Sequence, residues 1–283
     1  MLTGPYRTRT SQSPSVNYPL GRRQGGLNNL SLCRACLARI ASLLGFGLMK
    51  IISMLPWADW LGLVSFLGMW VGYAWVAKVR GMRDLSLIAT TNRYRQLWMV
   101  QATGRDPRML DGLITQNLSQ TPAFFSSTSI IIIGGLFALL GTTDKAAELV
   151  REIPFAQPTP MLVFEFKVLV LVAIFVYAFF RFSWSMRQYT FVALVIGAMP
   201  PPEDFEAQLH DRQHFAERAG NLVSAAAETF NDGLRAYYFS FAAMAWFFSP
   251  LALVMATALV VLILYIKIIK NINFGSKIIN LLF

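Results

Sequence analysis

The sequence predicts an all-α fold: a polytopic membrane protein with four transmembrane helices and cytoplasmic amphipathic helices between them. Only 14% of its 283 residues are charged, whereas a soluble globular domain carries about 25%. No charged residue occurs in residues 60–77, 112–143 and 236–266, and residues 168–180 form a shorter apolar run. These runs lack the polar stripe of a soluble helix, and about 20 apolar residues suffice to cross a bilayer. The lipid bilayer is therefore the expected environment.

Residues 1–48 are predicted to be a disordered basic leader, because they are rich in Arg, Ser, Asn and Gly and lack apolar periodicity. This composition fits an organelle transit peptide. It also fits a leader that is not translated, with the protein starting at Met49, and we favour that interpretation. Cys33 and Cys36 lie in the leader without a second pair to complete a metal site, so chance spacing is the expected explanation.

The basic net charge does not predict nucleic-acid binding. Residues 1–50 supply seven of the ten net positive charges and contain no acidic residue, which leaves +3 for the remainder. A nucleic-acid role needs a clustered basic face on a folded element, and the remainder shows none. No nucleic acid is therefore expected among the partners.

The first span is predicted over about residues 57–79, within a membrane domain that covers residues 49–270. Tryptophans mark one end of this span and basic residues mark the other, as is typical of membrane interfaces. Gly68 and Gly72 form a GxxxG motif, a spacing that lets two helices approach closely. The motif makes these glycines candidates for helix packing and for a homo-oligomer, although glycine is also common in membrane helices without that role.

Three further spans are predicted over about residues 123–141, 161–182 and 236–266. Ser249-Pro250 is expected to kink the last span, because proline interrupts the hydrogen bonds of a helix. The last run is longer than one untilted crossing needs, so residues 236–248 either cross the bilayer or lie at its interface. Residues 271–283 form a short tail.

Residues 80–120 and 183–235 are predicted to be cytoplasmic, because basic residues concentrate in the cytoplasmic segments of membrane proteins. Residues 78–120 hold seven Lys and Arg and residues 181–235 hold five, whereas residues 144–160 hold two. With four spans, both ends of the membrane domain then face outward. A bacterial inner (plasma) membrane is expected, or an organelle membrane if the leader is a transit peptide.

Two amphipathic helices are predicted in these cytoplasmic segments. Asp106 is expected to cap a helix with Pro107 at its first position. A second helix is expected over residues 203–232, where apolar residues recur at helical spacing.

Several short stretches follow one another in the order found in a known family. They are Asn92-Arg93-Tyr94-Arg95 with Trp98, Phe124-Phe125-Ser126-Ser127-Thr128, Phe175-Val176-Tyr177-Ala178-Phe179-Phe180-Arg181-Phe182, Ile196-Gly197-Ala198, and Phe230-Asn231 with Gly233-Leu234-Arg235-Ala236-Tyr237-Tyr238-Phe239. Over about residues 57–266 the chain resembles domain of unknown function 599, an uncharacterised bacterial membrane-protein family. The resemblance implies a membrane protein with four spans, and it implies no activity.

A metal site is the sharpest chemical candidate in the sequence. His210 and His214 are four residues apart in the predicted helix, the spacing that His-Glu-x-x-His zinc hydrolases use. Asp211 replaces the glutamate of that motif, and Glu206 and Glu217 are candidates to complete the metal shell. The alternative is a solvated helix with ordinary surface histidines. We favour the alternative, so neither a metal nor another cofactor is expected.

Three charged residues, Asp59, Glu165 and Lys167, are predicted close to membrane depth. A charge inside a bilayer costs several kcal/mol and usually pairs with a partner or lines a pathway. Each of the three is expected within about two helical turns of the outer interface, where snorkelling relieves much of this cost. Interfacial anchoring is therefore the expected role.

Arg93, Arg95, Arg181 and Arg235 are expected at the inner interface, as candidates to bind anionic lipid headgroups or an acidic partner. Tyr237 lies beside Arg235 in the sequence and is a candidate contact of the same kind. The alternative is that these arginines only fix the orientation of the protein.

Three functions stay open at this point. We rank first a non-catalytic scaffold, assembly or lipid-interacting component of the membrane. A small oligomeric transporter or channel subunit is second, indicated by Gly134-Gly135 and Pro250, which resemble the helix interruptions of transporters. A membrane-embedded metal hydrolase is third. The sequence contains no P-loop, Rossmann glycine motif or nucleophile elbow, which lowers the expectation of an enzyme without excluding it.

Overall fold

A computed structural model describes residues 55–81, 87–142, 160–208 and 211–282 of the chain. Within these ranges the regular secondary structure is helical, which confirms the predicted all-α fold. The predicted leader, with Cys33 and Cys36, lies outside the described residues.

Seven α-helices and one 3-10 turn follow one another along the described residues. They are α1 (Trp57–Gly81), α2 (Leu87–Ala102), α3 (Met109–Gly141), α4 (Met161–Gly197), α5 (Pro202–Glu206), α6 (Arg212–Met244), the 3-10 turn (Ala245–Phe247) and α7 (Pro250–Leu282). Four segments are long and apolar enough to cross a membrane, as the sequence predicts: Trp57–Ala77, Met109–Gly141, Met161–Gly197 and Pro250–Lys267.

Helix α4 lies between α3 and α6 and packs along both of them. Its contacts with α6 run in opposite directions along the two helices. Near its start, the Lys167 ammonium donates a hydrogen bond to the backbone carbonyl of Trp246, and further along, the Ser185 hydroxyl donates one to the carbonyl of Ala226. Helices α4 and α6 are therefore antiparallel neighbours over most of their length.

The predicted last span, residues 236–266, is divided between two helices. Helix α6 ends before the 3-10 turn, and α7 begins at Pro250. The predicted interruption at Ser249-Pro250 is confirmed. The Ser249 hydroxyl accepts a hydrogen bond from the Ala252 N–H (3.0 Å), and proline, which has no N–H to satisfy, is well suited to the first helical position.

Helix α7 folds back along α6. Near its start, Pro250 and Leu253 pack against Gly62 in the first turns of α1. Near the end of its apolar segment, the Lys267 ammonium lies 6.0 Å from the centre of the Tyr238 ring on α6. A helix that continued away from α6 would carry Lys267 about 25 Å beyond Pro250, at about 1.5 Å per residue. Helices α6 and α7 therefore form a hairpin. Helix α6 is a fifth long helix, more polar than the four apolar ones.

Helix α3 is polar on its buried face and apolar on its exposed face. The buried residues are Asp111, Thr115, Pro122, Ser126 and Ser129. The exposed large side chains include Met109, Leu110, Leu113, Phe124, Ile130, Ile131 and Phe137. Across the helix interface the Ser126 hydroxyl lies 2.9 Å from the Ser183 hydroxyl of α4. This arrangement suits a helix that faces lipid, because the apolar side chains meet hydrocarbon while the hydroxyls find partners inside.

The start of α3 differs from its prediction by two residues. Arg108 is the N-cap, no side chain caps the helix, and Asp106-Pro107 precedes it. The Arg108 guanidinium instead donates hydrogen bonds to three backbone carbonyls, those of Ala102 (3.2 Å), Met199 (2.9 Å) and Pro200 (2.5 Å). These bonds tie the α2–α3 connection to the end of α4, and they fix the helix start where local capping preferences would not.

The polar ends of α4 and α6 pack with two short helices into a unit that we call the platform: α2, α5, residues 183–197 and residues 212–231. Its apolar core consists of Met99, Tyr189, Val192, Ile196, Ala216, Ala219, Val223 and Ala226. Helix α4 has 37 residues, or about 55 Å at about 1.5 Å per residue. Because a bilayer core is about 30 Å thick, α4 is long enough to cross it and continue into the platform.

Two glycines of α6 permit close helix packing. A Cβ atom on Gly233 would lie 2.5 Å from the Phe182 ring of α4, and one on Gly220 would lie 2.9 Å from the Gln96 Cα of α2. Gly68 and Gly72 are different, because a Cβ on either would meet nothing within 4 Å. The predicted GxxxG face is therefore not used for packing within the described part of the chain.

We expect Gly233→Ala to destabilise the bundle and Gly68→Ala to leave it almost unchanged. The added methyl group of the first variant overlaps a buried ring, and overpacking of this kind costs about 1–3 kcal/mol. Thermal unfolding of the purified full-length chain in detergent measures the difference. Equal midpoints for the two variants would contradict the close packing of α4 and α6.

The hairpin predicts which residues share a side of the membrane. We expect cysteines introduced at Gly104 and Lys267, in a chain with Cys33 and Cys36 changed to Ser, to react with an impermeant maleimide from the same side. The reason is that α7 returns toward the end of the bundle where α2 lies. A single rod over residues 236–266 would instead expose the two cysteines on opposite sides.

Candidate functional site

One charged cluster, which we call the buried ion pair, joins the starts of α1 and α4 to the end of α6. The Asp59 carboxylate accepts a hydrogen bond from the Trp246 indole N–H (2.6 Å) and lies 3.8 Å from the Lys167 ammonium. Lys167 donates to the backbone carbonyl of Trp246 (3.0 Å), and its ammonium lies 5.4 Å from the centre of the indole ring. Asp59 and Lys167 are 4% and 5% exposed.

The expected interfacial role of Asp59 and Lys167 is wrong. Snorkelling requires the charged end of a side chain to reach water, whereas both of these side chains are buried among helices. Sequence distance from a span end does not reveal this, because the direction of a side chain depends on which neighbouring helix it meets. Glu165 is partly exposed and is compatible with the interfacial role.

A second charged cluster, the arginine cluster, lies on the facing sides of α4 and α6. Asp232 accepts hydrogen bonds from Arg181 on α4 and from Arg235, one turn further along α6 (2.9 Å for Arg235). The Arg181 Nε is buried without a hydrogen-bond partner. The guanidinium carbon of Arg235 lies 5.9 Å from the centre of the Tyr73 ring on α1. Two cations share one anion, so the cluster has a net charge of +1.

The two clusters lie within one bilayer thickness of each other. Fourteen residues separate Lys167 from Arg181 on the continuous helix α4, or about 21 Å. A hydrocarbon core is about 30 Å thick, so the two clusters cannot lie outside opposite faces of it. At least one of the two clusters is therefore expected inside the core, where its charges need partners within the protein.

Tyr237 belongs to an aromatic core and not to the arginine cluster. Its hydroxyl lies 2.8 Å from the Ser129 hydroxyl and donates a weaker hydrogen bond to the Phe125 carbonyl (3.3 Å). The rings that surround it belong to Phe125, Phe175 and Phe182, each with its centre 5.2–5.6 Å away. Three of the stretches that carry the family resemblance meet here.

The structure separates the other two predicted arginines from Arg181 and Arg235, because both belong to α2 in the platform. Arg95 donates a hydrogen bond to Asn92 (2.5 Å). Burial lowers the pKa of Arg95, while Tyr189 and Glu228 act to raise it. Arg93 is exposed. Of the four predicted lipid-contact arginines, Arg181 and Arg235 converge on Asp232, whereas Arg93 and Arg95 lie on α2.

The predicted helix over residues 203–232 is two helices, α5 and the first part of α6. Glu206 ends α5, and Asp211 is the N-cap of α6, where its carboxylate accepts a hydrogen bond from the His214 N–H (3.1 Å). Glu217 accepts a hydrogen bond from Gln213 (3.1 Å). Thus Glu206 and Glu217 do not share one helix face.

His210 lies outside the described residues. In the described part of the chain, no three His, Cys, Asp or Glu side chains are grouped so that they could hold a metal ion. The favoured alternative, a solvated helix with ordinary surface histidines, stays a prediction.

Sequence reasoning missed two members of these clusters. Asp232 was not singled out, although an acidic residue three positions before Arg235 on a helix is a recognisable pair. Trp246 belongs to an apolar run, which hides its polar role. Its indole N–H is a donor that a buried tryptophan usually satisfies, and that requirement is the signal which could have found it.

We expect Lys167→Met to destabilise the bundle by about 3–5 kcal/mol, because it leaves the Asp59 carboxylate buried without its counter-charge. The double variant Asp59→Asn with Lys167→Met should recover much of that loss. Glu165→Gln, two residues away and partly exposed, is the matched control and should change stability little. Thermal unfolding in detergent compares five proteins: the wild type, the single variants Lys167→Met and Asp59→Asn, the double variant and the control. Additive effects of the two single substitutions would contradict a coupled pair.

Comparison with known proteins adds the family and nothing more specific. No curated protein and no solved structure matches the chain. The family model described as "Protein of unknown function, DUF599" matches residues 61–267, which include every described helix from α2 to α6 and most of α1 and α7. The chain belongs to the DUF599 family.

Proposed function

We propose that the protein is a non-catalytic membrane scaffold that holds the platform rigidly against one face of the bilayer for a partner protein. The observation that carries the proposal is the continuity of α4 and α6. Each helix contributes both to the membrane bundle and to the platform core, without a break between Met161 and Gly197 or between Arg212 and Met244. A hinge between the two parts would have to bend both helices at once.

The charges inside the bundle support a structural role, because they contact one another across helices. The buried ion pair links α1, α4 and the turn after α6. The arginine cluster links α4 and α6. Paired charges of this kind fix the helices relative to each other, since separating them would leave a charge unpaired in a medium of low dielectric constant.

The outer surface of α2 offers a place for the partner. Tyr94 and Leu97 are three residues apart, so they share a helix face, and they are 44% and 46% exposed. Aromatic and aliphatic side chains on a rigid helix are typical anchors of protein interfaces.

The proposal predicts a stoichiometric protein partner whose binding depends on the platform. Purification of the tagged full-length chain from its native membrane in mild detergent should retain that partner. The variant Tyr94→Ala with Leu97→Ala should recover at least about fivefold less of it, because interface anchors each contribute more than about 1 kcal/mol.

The matched control is Leu259→Ala with Leu262→Ala, two exposed residues of α7 that face lipid in this arrangement. This variant should retain the partner at the wild-type level. Purification without any stoichiometric protein, or equal loss in both variants, would argue against a platform-dependent scaffold.

A small transporter or channel subunit is the second candidate, supported by the buried ion pair, since charges at membrane depth often line a pathway. Gly134 and Gly135 no longer support it, because both lie within the continuous helix α3. Proteoliposomes decide between the candidates. A scaffold adds no proton or ion flux to that of empty liposomes, whereas a transporter adds flux that Asp59→Asn abolishes.

A further inference from the structure

We propose that a phosphate-bearing anionic ligand, the headgroup of an anionic phospholipid, binds in a cleft between α1, α6 and α7 formed by Tyr73, Arg235, Tyr238 and Lys267. This inference goes beyond the scaffold role and does not depend on it. The cleft lies beside the arginine cluster, because Arg235 belongs to both.

Two cations and two tyrosines meet in this cleft. The Arg235 guanidinium carbon lies 5.9 Å from the centre of the Tyr73 ring, and the Lys267 ammonium lies 6.0 Å from the centre of the Tyr238 ring. Arg235 and Tyr238 are three residues apart on α6 and therefore share a helix face, which places the two cation–ring pairs side by side. The Arg235 guanidinium, the Lys267 ammonium and the partly exposed Tyr238 hydroxyl are donors that suit phosphate oxygens, whereas the Tyr73 ring is buried and supports the Arg235 side chain.

The charge balance of the cleft favours an anion. Arg235 already shares Asp232 with Arg181, so that carboxylate neutralises only one of the two guanidiniums. Lys267 adds a further positive charge and is exposed. The four groups together carry a net charge of +2, and a phosphodiester supplies −1 without a change in protonation.

The position of the cleft matches the level of lipid headgroups. The charge-free stretches of α1 and α7 both end near here, before Lys78 and before Lys267. Basic residues at span ends attract anionic lipids, with about 1 kcal/mol for each residue near the surface. Tyrosines are likewise enriched at this level because their rings tolerate hydrocarbon while their hydroxyls reach water.

An apolar surface beside the cleft fits acyl chains, which distinguishes a lipid from a soluble phosphate. Phe241 follows Tyr238 by three residues and Ile263 precedes Lys267 by four, so each lies about one helical turn from its polar neighbour on the same helix face. Phe241 is 60% exposed and Ile263 is 54% exposed. A ligand with both a phosphate and hydrocarbon tails would contact both parts of this surface.

Native mass spectrometry of the full-length protein tests the proposal. The protein is incubated in detergent with phosphatidylglycerol or with phosphatidylcholine, and the bound lipid is counted after collisional release of the micelle. We expect phosphatidylglycerol to bind preferentially. Lys267→Gln should weaken its binding about fivefold, and Tyr238→Phe should weaken it measurably through loss of one hydroxyl donor.

Arg187→Gln is the matched control, because this arginine lies near the Phe191 ring on α4 (5.9 Å) and outside the cleft. It should leave phosphatidylglycerol binding unchanged. Arg235→Gln is also informative, but it removes a partner of Asp232 and could affect folding. Lys267 is exposed and Tyr238→Phe removes only a hydroxyl group, so these two variants keep the test independent of folding. Equal binding of the two lipids, or equal weakening by Lys267→Gln and Arg187→Gln, would overturn the proposal.

Inorganic phosphate and glycerol 3-phosphate separate the two sources of the same chemistry. If the ligand is a lipid, neither should displace phosphatidylglycerol at millimolar concentration, because neither contacts Phe241 and Ile263. Displacement by either would show a site for a free phosphate and would overturn the lipid assignment. Loss of the partner protein with lipid binding intact would instead contradict only the scaffold role.

Discussion

A bilayer cannot satisfy polar groups, and that constraint explains how this bundle is arranged. Hydrocarbon offers no hydrogen bonds, so each charge or amide at depth needs a partner within the protein. Helix α6 carries Glu228, Asp232 and Arg235 within eight residues, which makes it unsuited to contact lipid on all sides. Its neighbours supply partners instead: Arg181 reaches Asp232 from α4, and Asp59 and Lys167 meet Trp246 at its end.

The positions of the helices follow from how polar each helix is. The apolar helices α1, α3 and α7 expose large side chains, while α6 packs against α4 with buried residues that are mostly Ala, Gly, Ser and Thr. Small residues make that contact close. Gly233 lets the Phe182 ring approach the α6 backbone, and Gly220 lets Gln96 of α2 do the same in the platform. The hydroxyl pair of Ser126 and Ser183 joins α3 to α4. Along the chain, Tyr237 at the centre of the aromatic core follows the arginine cluster residues of α6 and precedes Trp246 of the buried ion pair.

Sequence patterns predict part of this fold and miss part of it for identifiable reasons. Long charge-free runs predict α1, α3, α4 and α7, because spanning hydrocarbon requires such runs. The break at Pro250 is equally readable, since proline cannot continue the hydrogen-bond pattern. The reversal there is not readable, because residues 236–266 are apolar on both sides of the break and composition does not encode direction.

The candidate site could likewise be predicted from the sequence only in part. Arg181 and Arg235 were recognisable as interfacial cations, but their convergence on Asp232 depends on how α4 and α6 pair. Asp59 and Lys167 are more than a hundred residues apart, and only tertiary packing brings them together. Sequence periodicity within either helix contains no information about that contact, so their burial could not be predicted.

The hairpin of α6 and α7 has a consequence for biosynthesis. A helix as polar as α6 gains too little from hydrocarbon to leave the translocon alone. We expect pairing with the strongly apolar helix α7 to let the two helices enter the lipid together. The partner of Asp232 is Arg181, which lies on α4 and is synthesised earlier. The bundle is therefore completed late in translation, when Arg181 on the earlier helix α4 pairs with Asp232 on α6.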